Sequence, residues 1–218
     1  MNRLIIFDFD GVLVNTEYTT FNFYRELLPS YDIFLKEADF KYKIGRKSID
    51  FFKDVLGDKF NQALADELIA IKRDAFIKDV EKYLVPLEGA FALLEACKQA
   101  GLFMAIGSQN EKPLIQKAVD VFNIRKYFKV ITSLQDIQHK KPNPEAFFLV
   151  TSSLDIPPRE SVVIEDAPVG IKAAKNGGFK SIGITTSFSE KELQEANLII
   201  NSMTDLSPVL LRNFGDIL

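Results

Sequence analysis

From residue 90 to its end, the chain alternates between stretches of helical periodicity and short apolar runs. Helices are expected at Ala90–Gln99, Glu145–Leu154 and Val169–Asn176, with another opened by Pro113. The apolar runs that predict strands are Leu102–Ile106, Lys129–Thr132, Ser161–Ile164, Lys180–Ile184 and Leu198–Ile200. A further short helix is expected between the last two strands, and a terminal helix after them. Such alternation is typical of an α/β fold with a doubly wound, Rossmann-like parallel sheet.

One more strand is expected near the N-terminus, where the apolar run Leu4–Phe7 ends in two aspartates. Asp8 and Asp10 follow the run, and Gly11 then permits a sharp change of backbone direction. Open α/β sheets bind ligands beyond the carboxyl ends of their strands, which is where these carboxylates are expected. Two adjacent carboxylates repel each other and lose hydration, so they need a cation or a shared proton. A solvated turn is the competing interpretation of this bare pattern.

The segment between this strand and the alternating region has a different character. A helix is expected over Thr16–Leu28, and helical spacing recurs in Ser48–Leu56 and Asn61–Val80 without a convincing strand between residues 33 and 83. This block predicts an inserted all-α cap domain at residues 15–85. The rest of the chain, residues 1–14 and 86–218, is expected to form the α/β core domain.

Composition excludes several classes of protein. The chain has 218 residues, enough for a sizeable core, and its net charge of −3 gives no sign of a nucleic acid or an anionic membrane as a partner. No apolar run reaches membrane-spanning length, and no signal peptide is evident. The one cysteine, Cys97, lies on an apolar helical face, where a packed thiol is expected. We expect a cytoplasmic protein and a monomer.

Polar residues at several predicted strand ends are expected to meet at one site. Ser108 follows one strand, Glu165 and Asp166 follow another, and Lys140 and Lys141 stand in a loop before a helix. Right-handed parallel connections bring such ends to one edge of the sheet, the edge at which the N-terminal aspartates are also expected.

Such a group of side chains would form an oxygen-rich site. Carboxylates with a hydroxyl and a lysine suit Mg²⁺, which is held by few carboxylates and keeps positions for water and phosphate oxygens. Zinc is disfavoured because Cys97 and His139 are the only thiol and imidazole in the chain. A carboxylate can also attack phosphorus to give an aspartyl-phosphate, with the cation, the lysine and the hydroxyl stabilising the developing charge.

Four motifs, in order along the chain, resemble those of a known family. They are Asp8–Leu13 (Asp-Phe-Asp-Gly-Val-Leu), Ser108, Lys141–Pro144 (Lys-Pro-Asn-Pro) and Glu165–Ala174 (Glu-Asp-Ala-Pro-Val-Gly-Ile-Lys-Ala-Ala). The set resembles the haloacid dehalogenase (HAD) superfamily, and within it the β-phosphoglucomutase-like phosphatases with a helical cap. The resemblance covers essentially the whole chain. It implies a magnesium-dependent phosphatase of a small phosphorylated metabolite, such as a sugar phosphate.

The resemblance also implies catalytic roles, residue by residue. Asp8 would be the nucleophile, and Asp10 the general acid and base that protonates the leaving alcohol and then activates water. Ser108 and Lys141 would hold the transferring phosphoryl group, whereas Lys140 would be solvated.

A metal site is implied in the same way. Mg²⁺ would be bound by a carboxylate oxygen of Asp8, the backbone carbonyl of Asp10 and the side chain of Asp166. Glu165 would be either a further ligand or a partner of the ligands.

The resemblance assigns the choice of substrate to the cap. There Arg46 would clamp a carboxylate or phosphate of the substrate, with an ordinary surface arginine as the alternative. Mutases of the family carry a histidine where this chain has Thr19 and Thr20, which favours net hydrolysis. Dehalogenases lack the second aspartate, so Asp10 argues against that activity.

Several alternatives stay open. Within the enzymes, they are a β-phosphoglucomutase-type phosphosugar mutase and an inorganic pyrophosphatase. Outside the enzymes, they are a signalling receiver, although receivers lack a helical insertion of this length, and a protein that binds phosphate compounds without turning them over.

Overall fold

The computed structural model describes residues 1–44 and 48–214. The chain divides into two compact units, one formed by Met1–Asn15 with Pro86–Leu218 and the other by Thr16–Val85. We call the first the α/β unit and the second the helical unit.

The α/β unit is built on a parallel sheet. In chain order, the described strands are Leu4–Phe7 (β1), Val14–Asn15 (β2), Val85–Pro86 (β3), Phe103–Gly107 (β4), Phe128–Thr132 (β5), Ser161–Glu165 (β6), Lys180–Ile184 (β7) and Leu198–Ile200 (β8). Six of them pair in parallel in the order β5-β4-β1-β6-β7-β8. The predicted doubly wound parallel sheet is therefore confirmed. The two-residue strands β2 and β3 lie where the chain passes between the units.

The order of the six strands determines where a ligand crevice can form. Counted among themselves along the chain, they run 3-2-1-4-5-6, which is the Rossmann order. The order reverses between β1 and β6, and ligands of such sheets bind at that switch point beyond the carboxyl ends of the strands. In the register of this pair, Phe7 lies opposite Ile164. The residues that follow them, Asp8 and Glu165, therefore stand at the switch point.

The described residues also form α-helices in both units. In chain order, they are Glu17–Leu27 (α1), Ser48–Leu56 (α2), Gln62–Lys78 (α3), Val80–Tyr83 (α4), Ala90–Gln99 (α5), Lys112–Val121 (α6), Glu145–Leu154 (α7), Pro168–Asn176 (α8) and Pro208–Asn213 (α9). Short sequence signals explain several of their starts. The Asn61 side chain accepts a hydrogen bond from the Leu64 N–H at 3.2 Å, and prolines open α8 and α9. Within the described ranges, no helix combines the length and the apolarity needed to cross a membrane.

The core of the α/β unit lies between its sheet and the helices packed on it. All four residues of β1 are fully buried, as expected for a strand covered on both faces. One cluster of buried side chains joins β1, β4 and β6 to α7 and α8 through residues such as Ile6, Phe147 and Ala173. Cys97 of α5 is fully buried, and burial raises the pKa of its thiol to about 11. The packed thiol expected from the sequence is therefore present.

Aromatic rings dominate the core of the helical unit. Phe21 and Tyr24 of α1 meet Phe51 and Phe52 of α2, and all four side chains are fully buried. The ring centroids of Tyr24 and Phe52 are 4.8 Å apart in an edge-to-face arrangement, which is favourable for aromatic pairs. This packing holds α1 against α2.

The prediction of a short helix between β7 and β8 is wrong, because residues 185–197 form only turns and bends. One α-type bond, from the Leu193 N–H to the Ser189 carbonyl at 3.1 Å, is followed by a tighter turn in which the Ala196 N–H donates to Leu193. The Asn197 N–H then donates to the Ser181 carbonyl at 2.9 Å and returns the chain to the sheet. A single turn fixes many dihedral angles for few hydrogen bonds, so it does not propagate into a helix here.

Candidate active site

The first component of the site is the loop that leaves β1. Asp8 directly follows the strand, is largely buried, and donates its backbone N–H to the Ile164 carbonyl at 3.0 Å. The chain turns at Gly11, whose φ of +76° is a conformation that other residues seldom adopt, and the Gly11 N–H donates to the Val14 carbonyl at 2.7 Å. The sequence Asp-x-Asp-Gly therefore places Asp8 at the strand end and leads the chain away from it.

The end of β6 contributes two more carboxylates. Glu165 is the last residue of the strand, Asp166 is the next residue, and both side chains are buried. One oxygen each from Asp8, Glu165 and Asp166 lie within 4.8 Å of one another. We call these three residues the carboxylate cluster.

The turn between β6 and α8, together with Gly170 of α8, accommodates the Glu165 side chain. Its Oε2 accepts hydrogen bonds from the backbone N–H groups of Asp166 and Ala167, at 3.0 and 3.1 Å. A Cβ atom added to Gly170 would lie 1.8 Å from Glu165 Oε1, so only glycine leaves room for this carboxylate. The motif that begins at Glu165 thus contains both the acid and the glycine that accommodates it.

Lys141 connects the carboxylates. Its Nζ donates to Asp8 Oδ1 at 2.8 Å and to Glu165 Oε1 at 2.5 Å, and its side chain is only 5% exposed. The adjacent Lys140 is exposed to solvent. The structure therefore brings Lys141, and not Lys140, to the carboxylate cluster. Because its Oε2 accepts from the N–H groups of Asp166 and Ala167, Glu165 has a protein donor on each of its carboxylate oxygens.

The charges of the cluster shift its pKa values. Burial raises the pKa of Asp166 well above its usual range, and repulsion from Glu165 and Asp8 raises it further. Burial also raises the pKa of Glu165, against the opposing effect of Lys141. Burial by itself would lower the pKa of Lys141, but the attraction of Asp8 and Glu165 outweighs it, and the net shift is upward. The lysine is thus held as a cation among carboxylates that resist ionising together.

Ser108 and Asp10 lie at the same edge of the sheet. Ser108 follows β4, the other neighbour of β1, and is fully buried. Its N–H donates to the Thr132 carbonyl at 3.2 Å, and its Oγ accepts from the Asn110 N–H at 3.1 Å. Asp10 is half-buried in the loop after β1 and is close enough to contribute to the raised pKa of Asp166.

Two further residues singled out in the sequence are Arg46 and His139. Arg46 lies outside the described residues. His139 is exposed, and its Nδ1 lies 3.0 Å from Glu145 Oε2 at the start of α7.

Sequence reasoning missed two residues that follow β7. Thr186 Oγ1 donates to the Gly11 carbonyl at 2.6 Å, and the Ser187 side chain is near Asp166, where it opposes the rise in the pKa of that carboxyl. A Thr-Thr-Ser stretch after a strand looks like an ordinary turn. The one signal that could have found these residues is that β7 ends at the same edge of the sheet as β1 and β6.

The donor set of the cluster fits a hard divalent cation. All its potential ligand atoms are carboxylate oxygens, they lie close together, and their negative charge exceeds that of the single lysine beside them. The fold and the site thus define an α/β protein with a parallel Rossmann-order sheet and a group of carboxylates and a lysine at its switch point, the position at which such sheets bind ligands.

Comparison with known proteins identifies the family. The sequence model of the haloacid dehalogenase-like hydrolases matches residues 5–184. The chain therefore belongs to this family and is an enzyme of it, as the resemblance implied.

Individual relatives agree with this assignment. Over 207 residues the chain is 26% identical to validoxylamine A 7'-phosphate phosphatase of Streptomyces hygroscopicus subsp. limoneus, covering 94% of this chain and 96% of that one. It is 32% identical over 157 residues to phosphoglycolate phosphatase of Salmonella typhi, covering 67% of this chain and 61% of that one. The crystal structure of β-phosphoglucomutase from Clostridium difficile has the same fold, with a TM-score of 0.73, 23% identity, and coverage of 95% of this chain and 94% of that one.

Proposed function

We propose that this enzyme is a magnesium-dependent phosphatase that hydrolyses a small phosphorylated metabolite through an aspartyl-phosphate on Asp8. The observation that carries the proposal is the buried Lys141 ammonium, which bridges Asp8 and Glu165 beside Asp166 at the switch point of the sheet. A carboxylate nucleophile, a fixed cation and a metal-binding set of oxygens are what phosphoryl transfer to an aspartate requires.

Asp8 would attack phosphorus. The hydrogen bond from Lys141 to its Oδ1 fixes the orientation of the carboxylate, and the positive charge lies where negative charge develops on the transferring phosphoryl group. Ser108, buried at the end of the neighbouring strand, would donate its hydroxyl to a phosphoryl oxygen.

Asp10 would move the protons. It would protonate the leaving alcohol oxygen as Asp8 attacks, and then take a proton from the water that hydrolyses the aspartyl-phosphate. The leaving group would thus depart as an alcohol, and the second step would release inorganic phosphate and restore Asp8.

Mg²⁺ would be held by Asp8, the backbone carbonyl of Asp10 and Asp166, where it would supply charge stabilisation for the phosphoryl oxygens. We assign Glu165 to the support of this set, because its two oxygens already accept from Lys141 and from the N–H groups that follow β6. Glu165 would then hold the lysine and the start of α8 in place.

The helical unit would act as the cap that selects the substrate, with residues 15–85 as its extent and Arg46 as a candidate contact. The presence of Thr19, where mutases of the family carry a histidine, favours net hydrolysis over a mutase reaction. The Thr19 hydroxyl donates to the carbonyls of Tyr83 and Thr16, at 2.6 and 3.1 Å, and so serves the backbone of the helical unit. Mutase chemistry in the family uses an imidazole at this point.

The test is phosphate release from a panel of sugar phosphates, phosphoglycolate, a sugar-like cyclitol phosphate, nucleotides and pyrophosphate, with Mg²⁺ or with EDTA. We expect release that requires Mg²⁺, is fastest with a small monoester, and is lost in Asp8→Asn. The ranking of kcat/KM across the panel identifies the substrate class. Absence of release from every compound by a protein that still binds Mg²⁺ would contradict the proposal, and an isomerised sugar phosphate in place of free phosphate would favour the mutase.

A further inference from the structure

The residues that follow β7 contact the candidate active site, although they belong to none of the four sequence motifs. Thr186 Oγ1 donates a 2.6 Å hydrogen bond to the backbone carbonyl of Gly11, although the two residues are 175 positions apart. Thr186 is half-buried and Gly11 is buried, so water competes poorly for this bond. The bond therefore ties the loop that carries Asp8 and Asp10 to the end of a different strand.

Gly11 is also the residue against which Asp166 packs. A Cβ atom at Gly11 would lie 1.8 Å from Asp166 Oδ2 and 2.3 Å from its Cγ, so the carboxylate rests directly on the glycine α-carbon. The Ser187 side chain is also near Asp166, where it opposes the rise in the pKa of that carboxyl. Consecutive residues of one segment thus reach the two partners of this contact, Thr186 by its hydrogen bond to Gly11 and Ser187 by its position near Asp166.

From this arrangement we infer that Thr186 is a positioning residue, which fixes the loop after β1 against Asp166 and so sets the spacing of the oxygens that would hold the metal ion. The inference rests on the proposed function, because it concerns the same site. Asp8 and Asp166 repel each other and are borne by different strands, so a bond that fixes their backbones relative to each other opposes their separation. Partners that orient metal ligands contribute about 10–100-fold to metal affinity.

A neighbouring threonine provides a matched control. Thr185 Oγ1 lies 2.6 Å from Asn201 Oδ1, and it donates to the loop after β8 instead of the loop after β1. The two threonines are adjacent, both are half-buried, and their short hydrogen bonds have the same length. They differ in what they hold.

The experiment is titration of the whole protein with Mg²⁺ by calorimetry, together with kcat, KM and the Tm of each variant. Thr186→Val keeps the shape of the side chain and loses the hydrogen-bond donor. We expect it to bind Mg²⁺ about tenfold more weakly and to lower kcat while changing KM little. Thr186→Ser is expected to restore both values, whereas Thr185→Val should keep the wild-type Mg²⁺ affinity even if its Tm falls. Ser187→Ala, which removes the hydroxyl near Asp166, is expected to weaken Mg²⁺ binding as well and gives a second test if Thr186→Val does not fold.

The outcomes separate this inference from the proposed function. Wild-type Mg²⁺ affinity in Thr186→Val, or an equal loss in Thr185→Val, would overturn the positioning role while leaving the phosphatase proposal intact. Failure of the wild-type protein to bind Mg²⁺ would overturn both.

Discussion

The α/β unit encloses several carboxylates close together, whereas the helical unit is centred on a cluster of aromatic rings. In the first, three carboxylates and Lys141 are enclosed at the end of β1 and β6, and the pKa of Asp166 is raised because burial and repulsion oppose its ionisation. In the second, Phe21, Tyr24, Phe51 and Phe52 are fully buried and pack ring against ring.

The two kinds of buried group contribute to the free energy of folding with opposite sign. Aromatic burial is favourable by itself, at roughly 1.5–3 kcal/mol for a large apolar side chain. Crowded buried carboxylates are unfavourable unless a cation compensates them, and such groups mark functional sites. We conclude that the α/β unit accepts an electrostatic cost at its switch point, which binding of a cation would relieve.

The largest expected effect is that of removing the buried cation. Lys141→Met leaves Asp8 and Glu165 enclosed without their shared donor. We expect turnover to fall by about 10²–10³-fold, and the free energy of unfolding of the metal-free protein to fall by about 3–5 kcal/mol. Steady-state kinetics and urea unfolding measure the two effects.

Lys140→Met is the matched control, since this neighbour is exposed. It should change the free energy of unfolding by no more than about 0.5 kcal/mol and leave turnover near the wild-type value. Equal effects of the two substitutions would mean that the lysine pair acts through the loop conformation and not through the Lys141 ammonium.

A cavity in the aromatic core should act on stability alone. Phe52 is fully buried, so Phe52→Ala is expected to cost about 3–5 kcal/mol of unfolding free energy. The Mg²⁺ affinity of the folded fraction should stay at its wild-type value. Phe34→Ala, at a side chain that is 73% exposed in the same unit, serves as the control, with a change within about 0.5 kcal/mol. A tenfold loss of Mg²⁺ affinity in folded Phe52→Ala would break the distinction between the units.

The pH dependence of stability should reveal the cost at the switch point. Because the pKa of Asp166 is raised in the folded protein, its contribution to stability is fully present below its unfolded pKa of about 3.9 and is lost as pH rises through the folded value. Asp166→Asn should therefore raise the free energy of unfolding in EDTA at pH 8 and have little effect at pH 4. Urea unfolding of both proteins between pH 4 and pH 8 measures this difference in unfolding free energy.

Mg²⁺ provides the counter-test for the same variant. Mg²⁺ should stabilise the wild-type protein at pH 8 and have much less effect on Asp166→Asn. The difference in unfolding free energy between the two proteins should therefore shrink or change sign. Destabilisation by Asp166→Asn in EDTA at pH 8 would show that the carboxylate is stabilising without a cation.

The smallest effect is expected at an ion pair on the surface of the helical unit. Arg25 pairs with Glu37, and both side chains are substantially exposed. Glu37→Gln, which keeps an acceptor for the Tyr18 hydroxyl, should cost no more than about 1 kcal/mol, and less at high salt because exposed charges are screened. Thermal unfolding at low and high ionic strength measures it, and a salt-independent loss would point to packing.

The two units also differ in how much the sequence reveals. The strand β1 could be predicted because Leu4–Phe7 is apolar throughout, which is the pattern of a strand buried on both faces. The aspartates after it could be placed at an edge of the sheet by topology alone. By contrast, the choice between Lys140 and Lys141 depends on the motif, because two adjacent lysines are chemically identical. Only the fold buries the side chain of one of them.

The features that were missed or mispredicted depend on distant partners. Thr186 bonds to a carbonyl 175 residues away, and no local pattern specifies such a partner. The helix expected before β8 fails because Asn197 is drawn back to the sheet by its bond to Ser181. Periodicity reports which face of a segment is apolar, but it does not report where a hydroxyl or a backbone N–H finds its partner.

Trapping of the covalent intermediate tests the central claim most directly. The enzyme would be mixed with Mg²⁺ and its best substrate, quenched in acid within one turnover, and reduced with borohydride, which converts an acyl phosphate to an alcohol. Peptide mass spectrometry should then find homoserine at position 8, dependent on substrate and absent when EDTA replaces Mg²⁺. Phosphate release without modification of Asp8, or modification of another carboxylate in its place, would contradict the account.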